Sequence, residues 1–208
     1  MIVQCFELGN LATNAYLVSN QEHGSCFIVD LPDSPEELLE SMQSSKLEPK
    51  ALILTHAHID HIAGIPLLRQ FYPELPIYLH ETEHSFLIDP VLNLSAWIGE
   101  AVSMSVNPQP LIEGIFDLEE LGKWQLLHVP GHSPGSMCLH HAPSNQLLAG
   151  DTLFRGSIGR TDFPTSQPGL LEKGILNKIF VLPDDTVVYP GHGPRTTVGR
   201  EKQTNPFF

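Results

Sequence analysis

Seven residues of this 208-residue chain have the types and spacing of metal ligands. Four of them crowd into the stretch THAHIDH: His56, His58, Asp60 and His61. Imidazole and carboxylate are donors that zinc, iron, manganese and cobalt accept. His56 and His58 stand two apart, so on an extended segment both point the same way. Asp60 and His61, at the start of a predicted helix, turn toward a second point nearby. Four such donors strain around one ion but serve two ions side by side. Three more donors follow apolar runs elsewhere: LLHVPG stops at His132, QLLAG at Asp151 and TVVYPG at His192, just as ALILT stops at His56. Binding sites of α/β sheets lie past the strand ends. Gly131, Gly150 and Gly191 each precede a donor, as tight turns require. The sequence therefore predicts His56, His58 and His132 at a first ion, and Asp60, His61 and His192 at a second, with Asp151 bridging. Each ion keeps a position for solvent, which catalysis needs. A closed structural zinc sphere favours cysteine, and none lies near these positions.

The elements that must position these donors alternate between strand and helix signals. IVQCFEL, NAYLVSN, SCFIVD, KALILT and PIYLH read as strands. SPEELLESMQSS reads as a helix with a Ser cap, Pro at its first position and early glutamates. Asp60 to Tyr72 reads as a second helix. Residues 81–110 read as a short helix near His84 and a variable loop carrying Trp97. WQLLHVP, SMCLHHA, QLLAGD and TVVYPGH are strands of a second set, with a helix from Leu170 to Phe180. This pattern predicts a mixed α/β chain: one domain over residues 1–208, in two halves of approximately 1–110 and 111–208. His80 and His84 have helical spacing without a third partner and read as rim residues. His140 and His141, adjacent on a strand, face opposite ways; His128 lies within a strand and His23 in a turn.

Composition narrows the function. Asp and Glu number 24 against 11 Lys and Arg, a net charge of −13. That balance argues against nucleic acid, whose phosphates need clustered cations. The N-terminal stretch lacks a basic start and an unbroken apolar run, and no segment reaches the roughly 18 apolar residues of a membrane helix. Cys5, Cys26 and Cys138, odd in number and far apart in strand-like segments, predict buried reduced thiols and a cytoplasmic setting.

THAHIDH with PGHSPGS, AGDTLF and YPGHG resembles the metallo-β-lactamase-fold hydrolases, in the family's motif order from Asp30 to His192. The resemblance implies a four-layer αββα sandwich with a dinuclear site at one edge. It places Asp30 beside the ligand shell, although Leu31-Pro32 stands here where the family usually has Pro-Gly. True β-lactamases lack the bridging Asp151, which disfavours antibiotic hydrolysis. The run DTLFRGSIGRTDFP looks like compact bacterial glyoxalase II, the hydroxyacylglutathione hydrolases. That likeness implies two divalent ions, zinc first with iron or manganese as alternatives, and a small thioester substrate derived from glutathione. A metal-bound hydroxide would attack the thioester, with Asp60 orienting it. Sulfur dioxygenases of persulfide metabolism, with one iron on the positions of His56, His132 and Asp151, share the motifs and are the second expectation. A lactonase or other ester hydrolase is the third. Arg155 and Arg160 are candidate contacts for an anionic substrate; the competing expectation pairs Arg160 with Asp162 to hold the loop.

Overall fold

Parallel strands need crossover segments, and the sequence spaces its strands accordingly. The computed structural model describes all 208 residues, which fall into two compact units. The first comprises Met1–Leu111 with Glu119–Leu121, the second Ile112–Leu118 with Gly122–Phe208.

In the first unit, β1 (Ile2–Leu8), β2 (Thr13–Ser19) and β3 (Gly24–Val29) pair antiparallel. β4 (Leu47–Ile53), β5 (Ile77–Leu79) and β6 (Gln109–Pro110) then continue the sheet in parallel with β3. The crossovers carry α1 (Glu36–Ser44), α2 (Ile59–Ile62), α3 (Ile65–Phe71), a 3₁₀ segment (Glu81–Leu87) and α4 (Ser95–Ile98). Leu17, Ile28, Leu38, Met42, Leu52, Ile62 and Leu68 meet in one core cluster. Apolar residues on α1 face the sheet, which gives that helix tertiary support its short length could not supply.

In the second unit, β7 (Gly114–Asp117), β8 (Lys123–His128), β9 (Met137–His141) and β10 (Gln146–Gly150) form an antiparallel meander. A small hairpin follows, β11 (Leu153–Phe154) with β12 (Ser157–Ile158). β13 (Val187–Pro190) pairs parallel with β10, and β14 (Thr196–Thr197) antiparallel with β13. β8, β10 and β13 therefore share one direction, so their C-terminal ends leave the sheet along one edge. α5 (Leu170–Gly174) and α6 (Val198–Thr204) complete the unit, whose core gathers Val129, Cys138, Leu147, Leu171, Ile175 and Val188.

Four local expectations are corrected. Ser34 does not cap α1: it adopts φ 56°, and Pro35 takes the cap position without a side-chain hydrogen bond. The helix expected over Asp60 to Tyr72 is two helices, α2 and α3. Pro66, in the first turn of α3, has no N–H to continue α2. At Gly64 the N–H donates to Leu31 O at 2.9 Å, and a Cβ there would meet Pro32 O at 2.4 Å. The helix expected over Leu170 to Phe180 changes to a π-turn at Ile175–Ile179. Cys5 is exposed on β1, whereas Cys26 and Cys138 are buried. β1 is an edge strand with exposed residues along it, so a thiol there is not enclosed. No helix is long and apolar enough to cross a membrane.

Candidate metal centre

The first unit builds its donors around one carboxylate. Asp30 follows β3 with φ 57°, and its N–H donates to Ile53 O at 3.0 Å. Buried at 1% exposure, the Asp30 carboxylate accepts from Thr55 N at 2.7 Å, Thr55 Oγ1 at 2.8 Å and His61 Nδ1 at 2.8 Å. A carboxylate only accepts, so His61 carries its proton on Nδ1 and presents Nε2 as the ligand atom. Thr55 has one hydroxyl proton and gives it to Asp30. Its 3.1 Å contact with His56 Nδ1 is then an N–H donated by the imidazole, which presents Nε2 in the same way. One aspartate thus sets two tautomers, the first directly and the second through a threonine.

The rest of the motif is fixed by contacts to its backbone. Ala57 N, between His56 and His58, donates to the buried Glu83 carboxylate at 2.6 Å. Ile59 N donates to Asn93 O at 2.8 Å, while the Asn93 amide group holds Phe86 O and Val102 O. Thr13, at the start of β2, donates to Asp60 Oδ2 at 3.1 Å. The His56 ring centroid lies 4.6 Å from that of His58 and 4.1 Å from that of His61. His61 Nε2 stands 3.5 Å from Asp60 Oδ2.

The second unit gathers its donors at the shared edge of β8, β10 and β13. Gly131 and Gly150 adopt positive φ there, and Gly191 does not. Gly191 N donates to Gly150 O at 2.8 Å and ties the two loops together. His132 Nδ1 donates to Arg160 O at 2.8 Å, leaving Nε2 as its ligand atom, and Ser166 Oγ donates to His132 O at 2.6 Å. Asp151 Oδ2 lies 3.5 Å from His132 Nε2 and 3.5 Å from His192 Nε2. Donors placed tetrahedrally about 2.1 Å from zinc stand roughly 3.4 Å apart. Both separations match that spacing.

Three groups result, each with ligand atoms within 4.8 Å of one another: His56, His58 and His132; His56, His61 and Asp151; Asp60, His61 and His192. All seven residues expected as ligands occur in them. The donors are imidazole and carboxylate without thiolate, a set that fits divalent ions. His80 and His84 lie outside these groups: His80 caps the 3₁₀ segment, and His84 Nε2 bonds Leu79 O at 3.0 Å. Arg155 is exposed on the β11–β12 turn. Arg160 is exposed too, paired through Nε and Nη2 with Asp162 at 2.9 and 2.8 Å and stacked over Phe163. The hydrogen bonds from Arg160 hold the Asp162 carboxyl below the usual carboxylate range. Thr13, Glu83 and Asn93, which brace the motif, carry no sequence signal, because nothing in their own neighbourhood points to a site.

The metallo-β-lactamase superfamily model matches residues 8–192. The chain belongs to that superfamily. It has the metallo-β-lactamase fold, of α/β class, and is a hydrolase of the superfamily with a His/Asp cluster suited to a dinuclear metal site. It is 36% identical to the probable metallo-hydrolase YqgX of Bacillus subtilis, over 97% of this chain and 94% of the relative. It is 31% identical to the hydroxyacylglutathione hydrolase GloC of Haemophilus influenzae, over 94% of this chain and 92% of the relative. Among solved structures, the B3 metallo-β-lactamase BLEG-1 superposes with a TM-score of 0.93 at 37% identity, covering 99% of each chain. TTHA1623 in a di-iron-bound form superposes with a TM-score of 0.87 at 40% identity, covering 99% of this chain and 100% of the other.

Proposed function

We propose that this chain is a metal-dependent thioester hydrolase of the hydroxyacylglutathione hydrolase type. The observation that carries the reading is the grouping of seven imidazole and carboxylate donors into overlapping triads. His56, His58 and His132 would hold one divalent ion, and Asp60, His61 and His192 a second. Asp151, 3.5 Å from ligand atoms of both His132 and His192, would be shared. Zinc is the expected metal, with iron or manganese able to occupy the same donors. When bound, the pair supplies an acidified water near neutral pH and positive charge for the carbonyl oxygen.

The residues of the chain then have separate tasks. Asp60, held by Thr13, orients the attacking water and takes up its hydrogen bond. Asp30, through His61 and through Thr55 to His56, keeps two imidazoles in the ligating tautomer. Water oxygen bonds to the thioester carbon as Asp60 takes the water's proton. The C–S bond breaks, sulfur leaves with the electron pair, and the proton passes from Asp60 to the thiolate or to solvent. A thiol has a pKa of about 8.5, so the thiolate leaves without a strong acid in the site.

Metal analysis after mild purification, followed by a panel of acyl-glutathione thioesters, lactones and a β-lactam, tests the reading. Two metals per chain with selective thioester cleavage is the expected result. One iron per chain with oxygen uptake on glutathione persulfide would replace it with a dioxygenase. Selective turnover of the lactones or the β-lactam would keep the metal pair and discard the thioester.

A further inference from the structure

Of the 11 Lys and Arg, five have no carboxylate partner: Lys46, Arg69, Arg155, Lys173 and Arg195. Of these, Arg155 and Arg195 are the two that follow a proposed ligand by a few residues. Lys50, Arg160, Lys178 and Lys202 each sit on an acidic side chain. Arg155 and Arg195 do not: both are exposed, and neither guanidinium makes an ion pair or a hydrogen bond. Both also lie on segments leaving proposed ligands. Arg155 is at the turn of the β11–β12 hairpin, four residues beyond Asp151. Arg195 is three residues beyond His192, just before β14.

A buried carboxylate joins these two segments. Glu201, on α6, has no exposed surface. Its Oε2 accepts from Gly156 N at 2.8 Å and Asn205 Nδ2 at 2.9 Å, and its Oε1 from Thr196 Oγ1 at 2.5 Å. The residue after Arg155 and the residue after Arg195 therefore bind the same side chain. Asn205 Nδ2 also donates to Ser157 O at 3.0 Å, which fixes the hairpin a second time. Arg200 Nε, 3.7 Å from Oε1, is the one cation near this carboxylate. Burying a carboxylate is costly unless several donors surround it, and here they include backbone and side chain from both segments. On the other side of Arg155, the Phe154 ring packs edge-on to His192 at 6.1 Å. The hairpin is thus pinned between a proposed ligand and the Glu201 carboxylate, with its arginine left to solvent.

We propose that Arg155 and Arg195 form an anion subsite that holds a carboxylate on the thiol part of the substrate. The inference rests on the thioester reading above for its substrate. Two guanidinium forks on braced loops recognise a planar carboxylate better than mobile ammonium groups do, and they concentrate positive field on an otherwise acidic molecule.

The test uses the metal-loaded full chain and two esters of one acyl group. S-lactoylglutathione carries carboxylates in its thiol part, and S-lactoyl-N-acetylcysteamine carries none. In the Arg155→Ala/Arg195→Ala variant the KM for the glutathione ester rises about tenfold or more, the scale of one lost ion contact, while the neutral ester's KM does not follow. The salt dependence of the glutathione ester's KM also flattens, and Arg155→Lys/Arg195→Lys recovers part of the loss. Equal KM changes for both esters, or none for either, overturn the subsite. Calorimetric titration of the same metal-loaded proteins with reduced glutathione keeps the subsite testable if neither ester is cleaved, an outcome that removes the thioester reading alone. Binding weakened by the double variant then supports the subsite, and identical binding overturns it.

Discussion

The two units furnish their donors in opposite ways. The first takes four from one short run, His56 to His61, and braces them mostly with buried side chains, Asp30, Glu83 and Thr13, with the Asn93 carbonyl on Ile59 N. The second takes three from the ends of three strands and braces them mostly with backbone, Arg160 O on His132 and Gly191 N on Gly150 O, with one hydroxyl, Ser166 Oγ, on His132 O. A contiguous run needs side chains to aim each member, because its backbone cannot set four directions independently. Donors at separate strand ends are aimed by the sheet itself, so a carbonyl and a turn suffice.

The largest effect that would break this contrast is expected at Asp151, which faces two histidines. Asp151→Ala should leave fewer than two metals per chain by elemental analysis and lower hydrolysis by about 10³-fold, the scale of a lost transition-state contact. Full metal content with full activity would remove Asp151 from the shared position. The backbone-braced half should be sensitive to a methyl group. A Cβ on Gly159 would lie 2.0 Å from Asp151 O, so Gly159→Ala should destabilise the chain by about 2–3 kcal/mol in urea unfolding. An unchanged midpoint would show that this half yields more readily than its packing implies. In the side-chain-braced half, Asp30→Asn should weaken metal binding by about 10–100-fold in chelator competition, since His61 and Thr55 lose their charged acceptor. Retained affinity would mean that the motif aims itself.

Smaller effects lie away from the donors. His140 and His141 are buried, and burial pushes both imidazoles below the usual histidine range. The unfolded chain then binds protons that the folded chain refuses. Their contribution to stability is whole above the unfolded value, about 6.5, and is lost as pH falls below it. With metal removed, His140→Phe should lose less stability than the parent between about pH 7.5 and pH 5.5. Parallel losses in the two proteins would exclude His140 as a source. The smallest effect belongs to Arg160→Ala, which breaks an exposed pair: a slight drop in thermal midpoint with an unchanged Michaelis constant. A raised Michaelis constant would make Arg160 a substrate contact.

What the sequence made legible follows the same division. Strand ends stopping at His or Asp mark donors, because an apolar run and its terminator are both local signals. The geometry accordingly gathers all seven predicted residues. The interruption at Gly64 was hidden, because it depends on Pro32 O lying against that position. Glu83 was hidden because its charge, in a polar stretch, reads as solvated surface until Ala57 N is placed beside it. Glu201 was hidden for the same reason on α6. The exposure of Cys5 depends on β1 lying at the sheet edge, which strand order decides and local pattern does not.

That edge position gives the chain a chemical handle. Burial pushes Cys26 and Cys138 up to about 12, so both thiols are shielded and protonated. Cys5 alone is accessible, although partial burial raises its pKa as well. A maleimide dye under mildly alkaline conditions therefore labels one defined position in the native protein without mutagenesis. Denaturation releases the other two thiols, so the dye count per molecule becomes a clock for unfolding.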